Sequence, residues 1–166
     1  MQITGSYTFD FDQQTVWAIL MNPDAIAKAI PGVQQMIPLE NEPDAWRATA
    51  RLSVASLNGT YSGVIRLSEL DPPRQYRLTV TGEGQQSIID GTALITLEPT
   101  SDSGTPKTNV SWMAEANLSG KLASIAQRLV SVAASMMSRQ FFGGLARQLG
   151  ASDVQQRSDN SLQPDS

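Results

Sequence analysis

The chain contains no cysteine and no histidine. These two absences remove thiol nucleophiles, imidazole bases, Ser/His/Asp triads and the usual ligands of zinc, haem and iron–sulfur clusters. Chemistry would have to run on carboxylates, Tyr, Lys or an added group, and the residues point to no metal and no cofactor. Without cysteine there is no disulfide to suggest export, and the opening MQITGSYTFDFD lacks a basic n-region and an apolar h-region. A cytoplasmic location is the expectation. Basic residues are scarce, 12 Lys and Arg against 16 Asp and Glu for a net charge of −4, so no basic face is available to release counterions and nucleic acid is excluded as a partner. Long apolar runs are missing too: none approaches the roughly 20 residues a membrane-spanning helix needs.

What is present is 166 residues with 40% apolar content, enough for one globular domain with its own core. Ile3, Gly5, Tyr7, Phe9 and Phe11 alternate with polar neighbours, the period-2 pattern of a strand with one buried face. Asp12 is placed to cap a short helix through about Met21, and Asn22-Pro23 opens a second through about Ala29. From Val33 to Leu118 the alternation is that of strands. Trp46, Ala48, Ala50, Leu52 and Val54 share one face of a strand, and Gly59, Tyr61, Gly63, Ile65 and Leu67 share one face of the next, with a turn at Asn58-Gly59. Further strands fall at about Gln75–Thr81, Ser87–Leu97 and Thr108–Leu118, the last two separated by a loop from Pro99 to Pro106. Connections this short make an antiparallel meander.

After Ser119-Gly120 the period becomes helical. Leu122, Ile125, Ala126, Leu129, Val132, Ala133, Met136 and Met137 fall on one face of a helix expected to reach about Phe142, where Gly143-Gly144 bends or ends it. Residues 150–166 are polar with little to bury and are expected as a disordered tail after a domain of residues 1–149. The whole is an α+β fold: a strand, two short helices, six more strands and a long C-terminal helix held by a curved sheet. The inward strand faces carry many small residues, including Ala48, Ala50, Gly63, Gly91, Ala93, Ala114 and Ala116. Small residues there either leave room for a ligand or let the helix pack closely.

The ordered set Gly5, Val16-Trp17, Leu20, Asn22-Pro23, Ile30-Pro31-Gly32-Val33, Gly59 and Gly63 around Tyr61, Asp71-Pro72-Pro73 with Tyr76, Gly82 and Gly84, Gly91-Thr92-Ala93, Gly120-Lys121-Leu122-Ala123 and Phe141-Phe142 resembles the carbon monoxide dehydrogenase G-subunit family. That family belongs to the START-like, helix-grip (SRPBCC) superfamily. The resemblance covers roughly residues 1–149. It implies a helix-grip fold and a non-catalytic accessory of a molybdenum hydroxylase complex, recruiting that enzyme to the membrane or aiding its maturation, with an apolar small molecule or lipid in the cavity. It also implies a location at the inner face of the membrane by peripheral contact. The chain departs from the family pattern at Gln85-Gln86-Ser87, where another Gly is usual, and in its short polar tail, where some members carry an apolar anchor.

Four groups of residues are candidates for function, each with a plainer reading beside it. The Ile30-Pro31-Gly32 corner, with Ile26, is either an ordinary helix stop or the lip of a cavity. Trp46, Tyr61, Trp112, Met136 and Met137 are either core or the lining of an apolar ligand site, in which the Tyr61 hydroxyl could orient a polar head. Lys121, Arg128 and Arg139 interrupt a stretch without acidic residues from Ala116 to Ser152. They are either a solvated face or, with Phe142, a contact for a membrane or partner. Glu83, Asp90 and Glu115 are read as surface groups, since nothing pairs two of them on the inward face. An enzyme of the same superfamily, a cyclase or hydrolase, would need an inward acid, base or Tyr relay. A pure interaction module would pack its cavity solid.

Overall fold

A computed structural model describes residues 1–53, 58–102 and 104–161. Its elements are β1 (Gln2–Phe9), α1 (Gln13–Leu20), α2 (Pro23–Ala29), β2 (Val33–Pro38), β3 (Ala45–Leu52), β4 (Gly59–Asp71), β5 (Gln75–Gly84), β6 (Ser87–Asp102), β7 (Thr105–Gly120) and α3 (Gln127–Ser161), with a 3-10 turn at Lys121–Ser124 between the last two. The strands form one antiparallel sheet in the order β1-β7-β6-β5-β4-β3-β2. The first strand closes onto the last, and the others follow as a meander. Val54, expected at the end of β3, lies outside the described residues.

Alternation decides which side chains reach the core. Phe9, Tyr76, Ile95, Leu97 and Val110 point from the concave face into a cluster completed by Val16, Trp17 and Leu20 of α1 and by Phe142 and Leu145 of α3. Trp17 meets Tyr76 edge-on at 5.6 Å, the geometry that sets a ring's positive edge against its neighbour's negative face. Thr108 is fully buried beside this cluster, and its hydroxyl donates to the Phe11 carbonyl at 2.8 Å. A buried hydroxyl without that bond would cost about 1–3 kcal/mol.

The two short helices start as expected, though by different means. Asn22 caps α2, its side-chain oxygen accepting from the backbone N–H of Asp24 at 3.1 Å and of Ala25 at 3.4 Å, with Pro23 in the first turn. Asp12 occupies the cap position of α1, but its carboxylate takes the Thr15 hydroxyl instead of a backbone N–H. The corner after α2 is a left-handed turn. Gly32 sits at φ 81°, its carbonyl accepts from the Arg51 N–H at 2.8 Å, and a β-carbon there would strike the Arg51 carbonyl.

The structure corrects three boundaries. β6 and β7 stay paired from Ser87↔Gly120 out to Asp102↔Thr105, so the expected loop from Pro99 to Pro106 is mostly hairpin, with Gly104 at φ 77° in its turn. The C-terminal helix begins at Gln127, not just after Gly120. Residues 121–124 form a 3-10 turn tied to the β5–β6 corner, where the Ser87 hydroxyl accepts from the Leu122 N–H at 2.9 Å, and Ile125 is extended before the chain turns helical. The helix also runs through Gly143-Gly144 without ending. Gly144 is where α2 crosses: a β-carbon there would lie 3.4 Å from Ala29, and the Gln148 amide donates to the Ala25 carbonyl at 3.1 Å. Backbone helix continues to Ser161, across the stretch from residue 150 that composition marks as a polar tail.

Gly144 therefore trades helix propensity for close approach. Gly144→Ala, whose methyl just reaches Ala29, is expected to raise stability by up to about 1 kcal/mol. Gly144→Leu is expected to lower it by about 1–3 kcal/mol by forcing α2 off α3. Urea denaturation of the two variants checks the opposite signs.

Candidate functional site

α1, α2, the concave sheet and α3 do not close completely over one another. Between them lies a cavity of about 290 Å³, at the lower end of ordinary ligand sites. Its roof is the α1–α2 region, with Leu20, Met21, Ile26, Ile30 and Pro31. Its floor is the sheet, from Trp46 of β3 through Ile65, Leu78 and Ala93 to Trp112 of β7, and its far wall is Met137, Phe141 and Phe142 of α3. Strand parity explains the floor. Trp46 lies opposite Ile65, Ile65 opposite Val80, and Ile95 opposite Trp112, so side chains on neighbouring strands rise from the same face. Of the lining, Leu20, Tyr76, Ile95 and Phe142 are fully buried, while Ile26, Ile30, Pro31, Met36, Trp46 and Met137 are half-buried, like most of the sheet residues around them.

The lining is almost entirely apolar. Its hydroxyls are that of Ser138, already donating to the Ala134 carbonyl at 2.7 Å, and the Tyr76 phenol. Burial pushes Tyr76 far above the usual phenol range, so it stays protonated and is not available as a base. No carboxylate, Lys or Arg lines the space. Glu83, Asp90 and Glu115 are exposed, and Glu115 meets the N-terminal amine at 3.5 Å. Among the described residues no group of acidic side chains is placed to hold a metal.

Of the residues proposed for the ligand site, Ile26, Ile30, Pro31, Trp46, Trp112 and Met137 line the cavity. Gly32 does not: it builds the turn that aims Ile30 and Pro31. Met136 does not either. It is 41% exposed, because α3 turns Val130, Ala133 and Met137 towards the sheet and leaves Leu129, Val132 and Met136 outside. Of the eight apolar residues expected on one helical face, Leu122, Ile125 and Ala126 precede the helix and the other five are divided between two faces. Tyr61 shares the concave face but sits beyond the cavity. It is 7% exposed, and its hydroxyl has no hydrogen-bond partner among the described residues.

The proposed contact surface is rearranged as well. Arg128 and Arg139 are both exposed and, 11 residues apart on α3, lie within about 20° of each other around the helix. Lys121 is in the 3-10 turn before the break at Ile125 and does not extend their row. Phe142 is no contact residue: it is 5% exposed, stacked on Trp112 at 4.8 Å and on Tyr7 at 5.7 Å. The sequence held the signal, since Phe142, Leu145 and Leu149 recur at i, i+3 and i+7 once the helix is carried past Gly143-Gly144. Sequence reading also missed Met21, Met36, Ile65, Tyr76, Leu78 and Phe141 as lining residues, although Ile65, Tyr76 and Leu78 lie on strands whose alternation was readable.

The titration behaviour follows from the same burial. With no histidine, no side chain has an ordinary pKa between about 5 and 8. Burial raises the Tyr61 and Tyr76 phenols in the folded chain. A folded pKa above the unfolded one stabilises fully below the unfolded value and loses that contribution as pH rises past it. Stability is expected to be flat from about pH 6 to 9 and to fall above about pH 10. Thermal unfolding against pH, with Tyr76→Phe flattening the alkaline limb, checks this.

Comparison with known proteins agrees with this geometry. A conserved protein from Geobacillus kaustophilus is similar at 27% identity over 92% of this chain and 97% of that one, with a TM-score of 0.84. A START superfamily protein from Mycobacterium smegmatis shares the fold at 8% identity over 90% and 97% of the two chains, TM-score 0.69. A protein from Chromobacterium violaceum does so at 18% identity over 88% and 95%, TM-score 0.62. Comparison with curated protein sequences finds no match. The family model for the carbon monoxide dehydrogenase G subunit (CoxG) matches residues 5–150, and with its START-like architecture the chain belongs to that family of enzyme-associated accessory proteins.

Proposed function

We propose that the protein holds an apolar small molecule or lipid in the cavity under Ile30-Pro31, and serves a molybdenum hydroxylase of the carbon monoxide dehydrogenase type as a non-catalytic accessory. The observation that carries this reading is the cavity itself: about 290 Å³ lined by rings, thioethers and branched aliphatics. Each methylene moved from water into such a space contributes about 0.8 kcal/mol. The absence of any carboxylate or cation from the lining favours carriage over acid–base chemistry. The Pro31-Gly32 turn makes Ile30 the natural gate, because it hangs from the end of a seven-residue helix.

Recruitment to the inner face of a membrane is the second half of the proposal. No helix among the described residues is long and apolar enough to cross a membrane. Contact would be peripheral and made from the cytoplasm, through Leu129, Val132 and Met136, an exposed row at helical spacing with Arg128 beside it.

Two experiments test these readings. Native mass spectrometry of the purified chain is expected to show a co-purifying apolar ligand, and the neutral fluorophore N-phenyl-1-naphthylamine should bind at one site. Ala93→Leu, which fills the cavity floor, should weaken that binding at least about tenfold while leaving the fold intact. A solid cavity with no ligand and no dye binding would overturn the carrier reading. For the membrane, co-sedimentation with anionic vesicles should exceed that with neutral vesicles and be lost in Val132→Glu. Equal binding by wild type and Val132→Glu would refute that contact.

A further inference from the structure

The sheet has two edges, and the chain treats them differently. The β2 edge is short, carries a bulge between Val33 and Gln35 and ends at Pro38. Bulges, prolines and short length are the usual protections against another strand adding on. The β1 edge has none of these. Gln2–Phe9 contains no charge and no proline, and all eight residues keep unbroken register with β7, from Gln2↔Glu115 to Phe9↔Thr108. As β1 pairs on one side only, half of its backbone donors and acceptors face away from the sheet.

Along that free edge runs a cleft of about 410 Å³. One wall is made by six consecutive residues, Gln2 to Tyr7. A cleft over one face of a strand would touch every second residue, so this one follows the backbone edge. The opposite wall is α3, which offers Ser131, Ala134, Ser135 and Ser138, small side chains at helical spacing, with Trp112 as a shared boundary. Six residues of strand span about 20 Å, the length of an ordinary strand. Arg139 is the one ionisable side chain in the lining besides the Tyr7 phenol, and it makes no ion pair among the described residues.

We infer that this cleft takes an extended acidic segment of a partner protein, which adds to β1 as an eighth strand while a carboxylate on it pairs with Arg139. Main-chain hydrogen bonds to an unprotected edge supply affinity without regard to sequence, and the flanking helix supplies selectivity. The narrow α3 wall suits a backbone with small or β-branched side chains. Arg139 suits a carboxylate, since a guanidinium can bind it through two parallel N–H bonds. The inference is independent of what the cavity holds.

The test is a selection of random six-residue peptides, displayed on phage, against the full chain. Enriched peptides should alternate β-branched residues and carry Asp or Glu. Their binding should be lost in Ser135→Trp, which narrows the cleft without touching β1, and weakened about tenfold in Arg139→Gln. Amides of residues 2–7 that face away from β7 should exchange more slowly with the synthetic peptide bound. Failure to enrich any sequence, equal binding by both variants, or protection confined to the α2–β2 corner would overturn the proposal. So would a concentration-dependent dimer that protects the same amides without peptide, because the edge would then belong to a second copy of the chain.

Discussion

Phe142 stacking on Trp112 and Tyr7 is the contact on which the placement of α3 depends. Those two rings come from β7 and β1, the last and first strands, which adjoin in the sheet. A helix anchored there lies along one end of the concave face and leaves the β3–β5 side for something else to cover. Leu145 and Gly144, one turn or less further on, bring α2 against the same helix, so α1 and α2 are drawn over part of the remaining face. The cavity is what this incomplete cover leaves between Trp46 and Trp112.

The same anchoring explains why the first half of α3 is unusual. Ahead of Met137 the helix commits Val130 and Ala133 to the sheet, two small to medium side chains, while Leu129, Val132 and Met136 remain outside. Those three exposed side chains are the row proposed above for peripheral membrane contact. The 3-10 turn and the extended Ile125 set this orientation. They allow the chain to leave β7 bound to the β5–β6 corner and then choose a new direction, independent of the strand it follows.

Much of the fold was legible because its signals are local. Alternation in β1 and β3–β7, the Asn22-Pro23 helix start and the turn chemistry at Asp71-Pro72-Pro73 depend on residues within a few positions of one another, and the resemblance of the ordered motifs to the CoxG family supplied the architecture. Part of the site was legible for the same reason, since Trp46 and Trp112 follow from strand parity and Ile26 and Ile30 from their place before a Pro-Gly turn. Phe142 and Met136 were misplaced because a helix face is a matter of absolute rotation, and rotation is set by what the helix packs against. Gly143-Gly144 reads as a stop in isolation and as a contact point once α2 lies across it.

The amino-acid sequence by itself determined that this is a curved antiparallel sheet with a C-terminal helix, that neither thiol nor imidazole chemistry is available, and that the inward faces are apolar with many small residues. The chemistry and the apolar faces are properties of composition and short-range periodicity, and the architecture came with the ordered motifs of the family. Tertiary structure alone decided that the small residues leave a cavity instead of a closed core, that α3 shows Met137 to it and Met136 to solvent, and that one sheet edge is guarded while the other runs beside an open cleft. Each of these depends on where α3 comes to rest, and that position is fixed by rings on strands more than a hundred residues apart in the chain.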